Sequence, residues 1–192
     1  MNQKNEIQPD QQTIDDILNL FKSGKLNNAK IKIENCIKKF PKSFVLFNIL
    51  GAICVSQDEL EAAINHHKKS IEINPDYAEG YNNLGIAFQK LGLFEEAVKN
   101  FKKTLKLKPN FSLAYNNLGV ALKCLNKLDE ALVNSKKAIE LDPKFADAHN
   151  NIGAILQDLG NYEEAYKFYK KAIKLKSNYS EAYNNLGILL FK

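Results

Sequence analysis

Tyr81-Asn82-Asn83-Leu84-Gly85 returns as Tyr115-Asn116-Asn117-Leu118-Gly119, as His149-Asn150-Asn151-Ile152-Gly153 and as Tyr183-Asn184-Asn185-Leu186-Gly187. The glycines of these phrases, with Gly51 before them, stand 34 residues apart. A fixed period of this size is the mark of stacked supersecondary units, each burying an apolar face against its neighbours. The period therefore decides the architecture before composition is considered.

Numbering each repeat from seven residues before its glycine places repeats at 10–43, 44–77, 78–111, 112–145, 146–179 and a partial one at 180–192, after a polar tail at 1–9. The first repeat is divergent, with Asp16-Ile17 where Leu-Gly stands elsewhere. Position 4 is Phe47, Tyr81, Tyr115, His149 and Tyr183, and position 7 is Leu50, Leu84, Leu118, Ile152 and Leu186. Position 20 is alanine throughout (Ala29, Ala63, Ala97, Ala131, Ala165), and position 28 is Ile37, Ile71, Leu105, Ile139 and Ile173. Positions 4, 7, 8 and 11 share one helical face, as do 17, 20, 24, 27 and 28. Small residues at 8 and 20 let two helix axes approach closely. Gly24, Gly92 and Gly160 at position 15, replaced by Asp58 and Asn126, suit a turn between the two helices. Pro41, Pro75, Pro109 and Pro143 stop the second helix, and Asp76 and Asn110 are expected to cap the next one. The reading predicts eleven helices without strands, the third repeat's running from about Ala78 to Leu91 and from Phe94 to Leu107.

The whole pattern resembles the tetratricopeptide repeat. The resemblance implies an all-α, right-handed α-solenoid of helix-turn-helix repeats, with the first helix of each repeat lining a concave groove and the second forming the back. The Tyr-x-Asn-Leu-Gly phrase is similar to the repeats of O-linked N-acetylglucosamine transferases. Carried over, that resemblance makes Asn83, Asn117, Asn151 and Asn185, at position 6, residues that line the superhelix and hold polypeptide. An amide offers donor and acceptor together, as a peptide backbone demands, and asparagine is a mediocre helix former. The bland alternative is that paired asparagines reflect an Asn-rich composition. Asn82, Asn116 and Asn150 at position 5 are expected nearer the groove edge, and position 9, including Ile86 and Val120, gives it apolar relief. The family's carboxylate-clamping cation at position 2 has no counterpart, since that position holds Gln11, Val45, Glu79, Leu113, Asp147 and Glu181.

Other classes of function find less support. The net charge of +5 rests on 27 lysines with no arginine, so bidentate arginine readout of phosphate or guanine is absent. Lysine pairs such as Lys102-Lys103 and Lys136-Lys137 follow acids such as Glu95-Glu96 and Asp129-Glu130, the order that suits a solvated outer helix face. Neither nucleic acid nor membrane is therefore expected as a partner. Apolar runs are too short for a membrane helix, and polar Met1-Asn2-Gln3-Lys4-Asn5-Glu6 is not expected to act as a secretory leader. Cys36, Cys54 and Cys124 form no Cys-x-x-Cys and fit reduced thiols in a cytoplasmic setting, Cys36 and Cys54 at buried positions. His66 and His67 diverge on a helix and cannot share a metal, so His67 and His149 are read as packing residues. No catalytic constellation, cofactor or metal site is expected.

The leading expectation is a non-catalytic interaction module that holds an extended protein or peptide in an asparagine-lined groove. The alternative is the substrate-recruiting portion of a glycosyltransferase-type enzyme whose catalytic domain lies elsewhere, and a weaker one is a self-associating spacer. Because the sixth repeat has only its first helix, Leu186, Leu189, Leu190 and Phe191 are expected to include exposed apolar positions that fray, pair with a second copy or belong inside a longer array.

Overall fold

The computed structural model describes residues 8–191. Among them there are eleven helices and no strand: α1 (Gln11–Lys22), α2 (Leu26–Lys39), α3 (Phe44–Ser56), α4 (Leu60–Ile73), α5 (Ala78–Lys90), α6 (Phe94–Leu107), α7 (Ser112–Cys124), α8 (Leu128–Leu141), α9 (Ala146–Asp158), α10 (Tyr162–Leu175) and α11 (Ser180–Leu190). They form two compact bodies, one up to Gly92 and one from Leu93. The polar tail read at 1–9 falls mostly outside the described residues; of its last two, Pro9 is buried and Gln8 accepts a hydrogen bond from the Ser43 hydroxyl.

The turns between paired helices come from position 15. Gly24, Gly92 and Gly160 have φ of +74°, +79° and +79°, and Asp58 and Asn126 enter the same left-handed region at +61° and +57°. Around Asp58 the chain is closed by a bond from the Glu59 N–H to the Cys54 carbonyl at 2.9 Å, and around Asn126 by one from Lys127 to Leu122 at 2.9 Å. These are the six-to-one bonds that end a helix and release it in reverse.

The expected caps at Asp76 and Asn110 are not found. The N-cap positions of α5 and α7 are Tyr77 and Phe111, and neither makes a side-chain cap bond. An aromatic ring stands there because it packs: Tyr77 meets Phe44 edge-on at 4.8 Å between ring centres, and Lys108 lies over Phe111 at 4.6 Å. Side-chain caps occur instead at Asp10, which accepts from the Thr13 N–H at 2.7 Å, and at Ser43.

Within each body the core follows the small-residue positions. All five position-20 alanines are fully buried. Position 8 faces position 24 of the same repeat: a Cβ on Gly153 would stand 2.7 Å from the Tyr169 ring, and one on Gly51 would stand 2.6 Å from His67. In the divergent repeat Ile17 takes the glycine place and packs with Ile33 and Ala29. Side chains bury against both neighbours, but the two helix layers differ. In the N-terminal body the first helices α1, α3 and α5 touch in succession, whereas α2 and α4 make no contact among the described residues. In the C-terminal body the backbones of α7, α9 and α11 approach in succession, whereas those of α6, α8 and α10 do not, α8 and α10 meeting through the Lys136 and Glu164 side chains. The first helices are thus the crowded inner layer of each body, and the position-5 and position-6 asparagines sit on that layer.

Candidate functional site

In the N-terminal body the site begins with Asn48, Asn82 and Asn83. Position 5 proves to be buried rather than at a groove edge: Asn48, Asn82, Asn116 and Asn150 are 7%, 2%, 6% and 0% exposed. For Asn48, Asn116 and Asn150 the reason is the next first helix of the same body, which packs over them. Burial of a polar amide demands partners, and they are present. The Asn48 amide donates to the Tyr77 hydroxyl at 3.1 Å, while its carbonyl oxygen accepts from Asn83 Nδ2 at 3.1 Å and from the His67 ring at 3.0 Å. With both lone pairs of that oxygen used as acceptors, His67 carries its proton on Nδ1, and Nε2 is left buried without a partner. Burial, reinforced by neighbouring His66, pushes the His67 pKa down to about 4, so the ring is neutral.

The C-terminal body repeats the same link twice. Asn151 Nδ2 donates to Asn116 Oδ1 at 2.8 Å, and Asn185 Nδ2 donates to Asn150 Oδ1 at 3.0 Å. Asn150 in turn donates to Glu181 at 3.0 Å. Within each body the same link recurs: position 6 of one repeat donates to the buried position 5 of the repeat before it. The expectation of free amides at position 6 is therefore corrected for Asn83, Asn151 and Asn185, each of which spends one N–H on this link. All three, and Asn117, are half-buried, as are Ile86 and Val120. Among the described residues the side-chain oxygens of Asn151 and Asn185 accept no bond, whereas that of Asn83 accepts from Asn82 at 3.3 Å.

The inner layer is not uniform. Where position 24 is Tyr169, the ring is buried and its hydroxyl donates to Gln157 at 3.0 Å, filling the space beneath position 12; burial and Asp158 push that phenol up to about 12. Where position 24 is His67, the shorter ring stops at Asn48. A cavity of about 120 Å³ remains, lined by Ala52, Val55, His67, Asn83 and Ile86.

Away from this layer, the lysine pairs sit among acids: Lys69 with Glu72 at 3.3 Å, Lys137 with Glu140 at 2.8 Å and Lys136 with Glu164 at 3.9 Å. His149 packs beside Phe168 and bonds through Nε2 to the Pro143 carbonyl at 3.0 Å. Cys54 is buried and Cys124 exposed, while Cys36, expected to be buried, is only partly so. No group of three or more His, Cys, Asp or Glu side chains converges as a metal site, and no helix is long and apolar enough to cross a membrane, among the described residues. Of the four apolar residues singled out at the end of α11, Leu189 is buried in the cluster with Ile152 and Tyr169. Leu190 and Phe191 are 67% and 94% exposed, and Leu190 lies near the exposed Tyr162 and Tyr166.

Comparison with known proteins agrees with this geometry. A family model described as "TPR repeat" matches residues 51–92 and 124–160, and two described as "Tetratricopeptide repeat" match 78–111 with 146–179 and 100–133. Among curated relatives, Protein STIP1 homolog of Dictyostelium discoideum is 32% identical over 74 residues, 38% of this chain and 13% of that protein. The UDP-N-acetylglucosamine–peptide N-acetylglucosaminyltransferase of Giardia intestinalis is 31% identical over 73 residues, 36% of this chain and 5% of that protein. The chain thus spans a small fraction of the relatives' length. Among solved structures, YrrB, described as a TPR protein with an unusual peptide-binding site, superposes with a TM-score of 0.70 at 21% identity, covering 95% of this chain and 92% of that one. The helix pairs, their period and these matches together make the fold an all-α solenoid, and the chain belongs to the tetratricopeptide-repeat family.

Proposed function

We propose that this chain is a non-catalytic module that holds an extended polypeptide along its first helices, with Asn83, Asn117, Asn151 and Asn185 bonding the ligand backbone. The observation that carries the reading is the link from position 6 to buried position 5. A side chain already held by one N–H loses little freedom when its remaining donor and its oxygen engage a ligand, and such preorganisation lowers the cost of binding. Asn151 and Asn185 keep that oxygen available. Buried Asn82, Asn116 and Asn150 act as anchors of the link rather than as ligand contacts, and Ile86 and Val120 give apolar contact beside it. The peptide-binding site in YrrB's description supports the class of ligand.

Affinity capture with the wild-type chain and with a variant carrying alanine at all four position-6 asparagines tests the proposal. Each lost hydrogen bond is worth about 0.5–1.5 kcal/mol, so polypeptides retained by the wild type should be lost from the variant while its helical content persists. Equal retention by both chains would refute the reading.

Two further readings have one observation each. The match to a peptide N-acetylglucosaminyltransferase supports a role in recruiting polypeptide to a glycosyltransferase; co-purification with such an enzyme would be required. The exposed Tyr162, Tyr166, Leu190 and Phe191 support pairing with a second copy, since clustered apolar surface marks interfaces. Sedimentation that shows no concentration dependence would exclude it.

A further inference from the structure

We infer that the cavity above His67 is the anchor pocket of the groove, and that it takes one four-carbon aliphatic side chain, leucine or isoleucine, from the bound polypeptide. The inference rests on the groove reading above and adds its side-chain specificity.

The molecule contains its own comparison. Position 24 lies against the position-8 glycine in three repeats, at Gly153 with Tyr169, at Gly119 with Ser135 and at Gly51 with His67. Tyrosine there extends under the inner layer to position 12, where its hydroxyl meets Gln157. Histidine does not extend so far, because its Nδ1–H is held by Asn48. The missing length becomes the cavity. Position 9 adds to it: Ala52 is small, as is Ala154 in the repeat of the longer Tyr169, where Ile86, Val120 and Ile188 are branched. The opening thus needs two departures from the pattern in one repeat, a short ring below and a small side chain beside it.

Size and chemistry select the occupant. An apolar cavity of about 150 Å³ accommodates the six carbons of benzene, and a water occupies about 30 Å³ of liquid. By that measure about 120 Å³ takes four or five carbons, more than alanine supplies and fewer than phenylalanine. The walls at Ala52, Val55 and Ile86 offer no hydrogen bond from a side chain, and the neutral His67 ring beneath is fully buried. A charged side chain would lose its water there with no counter-charge to replace it. Asn83 stands on the rim, so the side chain that enters belongs to the residue whose backbone the Asn83 amide would meet.

The test uses a phage-displayed library of random twelve-residue peptides selected on the full chain. Clones are sorted by whether Asn83→Ala combined with Asn151→Ala weakens them. Among clones so weakened, one position should be dominated by leucine or isoleucine. Ala52→Ile fills the pocket with a residue that the fold carries at the same place in Ile86, and leaves His67, Asn48 and Asn83 untouched. It should reduce affinity for these peptides by about tenfold or more, and leucine-to-alanine in the peptide should cost as much on the wild type but little on the filled variant. A thermal melt of Ala52→Ile confirms that the fold is kept. Groove-dependent peptides that bind Ala52→Ile within twofold of wild type would overturn the pocket and leave the groove reading standing. Clones all indifferent to the asparagine changes would overturn both.

Discussion

Acidification should destabilise the N-terminal body through one side chain, His67. Its ring is fully buried, its Nδ1–H is committed to Asn48, and its Nε2 has no partner. A second proton would place an N–H and a charge where nothing accepts them. An unfolded histidine takes up its proton near pH 6.5, whereas His67 in the folded chain resists until about 4. The unfolded state therefore binds more protons between these values, so stability falls as the pH drops through that window and is flat above it. At about 1.4 kcal/mol for each tenfold change in proton affinity, the full loss is about 3 kcal/mol. His66, also held down by burial, contributes in the same direction. Asp10, Asp16 and Glu59, whose carboxyls are held low by Thr13, Lys32 and Lys30, also cost stability on acidification, but equally in the wild type and in a His67 variant. The assay is urea unfolding between pH 7.5 and 4.5 for the wild type and for His67→Phe, the residue that Phe101 supplies at the same register. The wild type should lose most of this stability relative to the variant by pH 4.5. Parallel pH dependence in the two chains, or an imidazole NMR titration near pH 6.5 for folded His67, would refute the burial argument.

Glycine at position 8 should respond to alanine according to what it faces. Gly153→Ala drives a Cβ into the rigid Tyr169 ring at 2.7 Å and should destabilise by about 1–3 kcal/mol, whereas Gly187→Ala meets nothing within 4 Å and should be neutral or stabilising by up to about 1 kcal/mol; thermal melts distinguish them. The two asparagines of each phrase should separate in the same way. Asn150→Ala removes a fully buried amide with two bonds, to exposed Glu181 and half-buried Asn185, and should cost about 1–3 kcal/mol of stability, while Asn185→Ala, half-buried with a single bond, should cost about 1 kcal/mol, both read by urea denaturation.

The helices were legible because the signals that specify them are local and repeated. Position 15 could be read as a turn even where it is Asp58 or Asn126, since those residues share glycine's tolerance of positive φ. The third repeat's helices fall at Ala78–Lys90 and Phe94–Leu107, within a residue of the reading. The caps were not legible: Tyr77 holds its position by packing on Phe44 and Phe111 by lying under the Lys108 ammonium, contacts that no capping rule describes. Position 5 was misplaced for a related reason. Helical periodicity tells which face a helix turns to its own partner, and Asn116 and Asn150 lie off that face. What buries them is the first helix of the next repeat, whose crossing is set by side chains 35 residues away. The pairing of the asparagines was visible, but their division into a buried acceptor and a half-buried donor was not. The cavity over His67 carried a readable sign, the loss of an aromatic at position 24 together with alanine at position 9, although only the packed structure shows that the space stays open.

The central claim is that the half-buried asparagines of the inner layer hold a polypeptide backbone. The most direct measurement is the side-chain amide spectrum of the chain labelled with ¹⁵N-asparagine, recorded as a groove-selected peptide is added. The account predicts that the signals of Asn83, Asn117, Asn151 and Asn185 move together and saturate at one equivalent, while those of lysine-side Asn100 and Asn134 stay in place. Unmoved position-6 signals at saturating peptide, with changes at Asn100 and Asn134 on α6 and α8 instead, would contradict it.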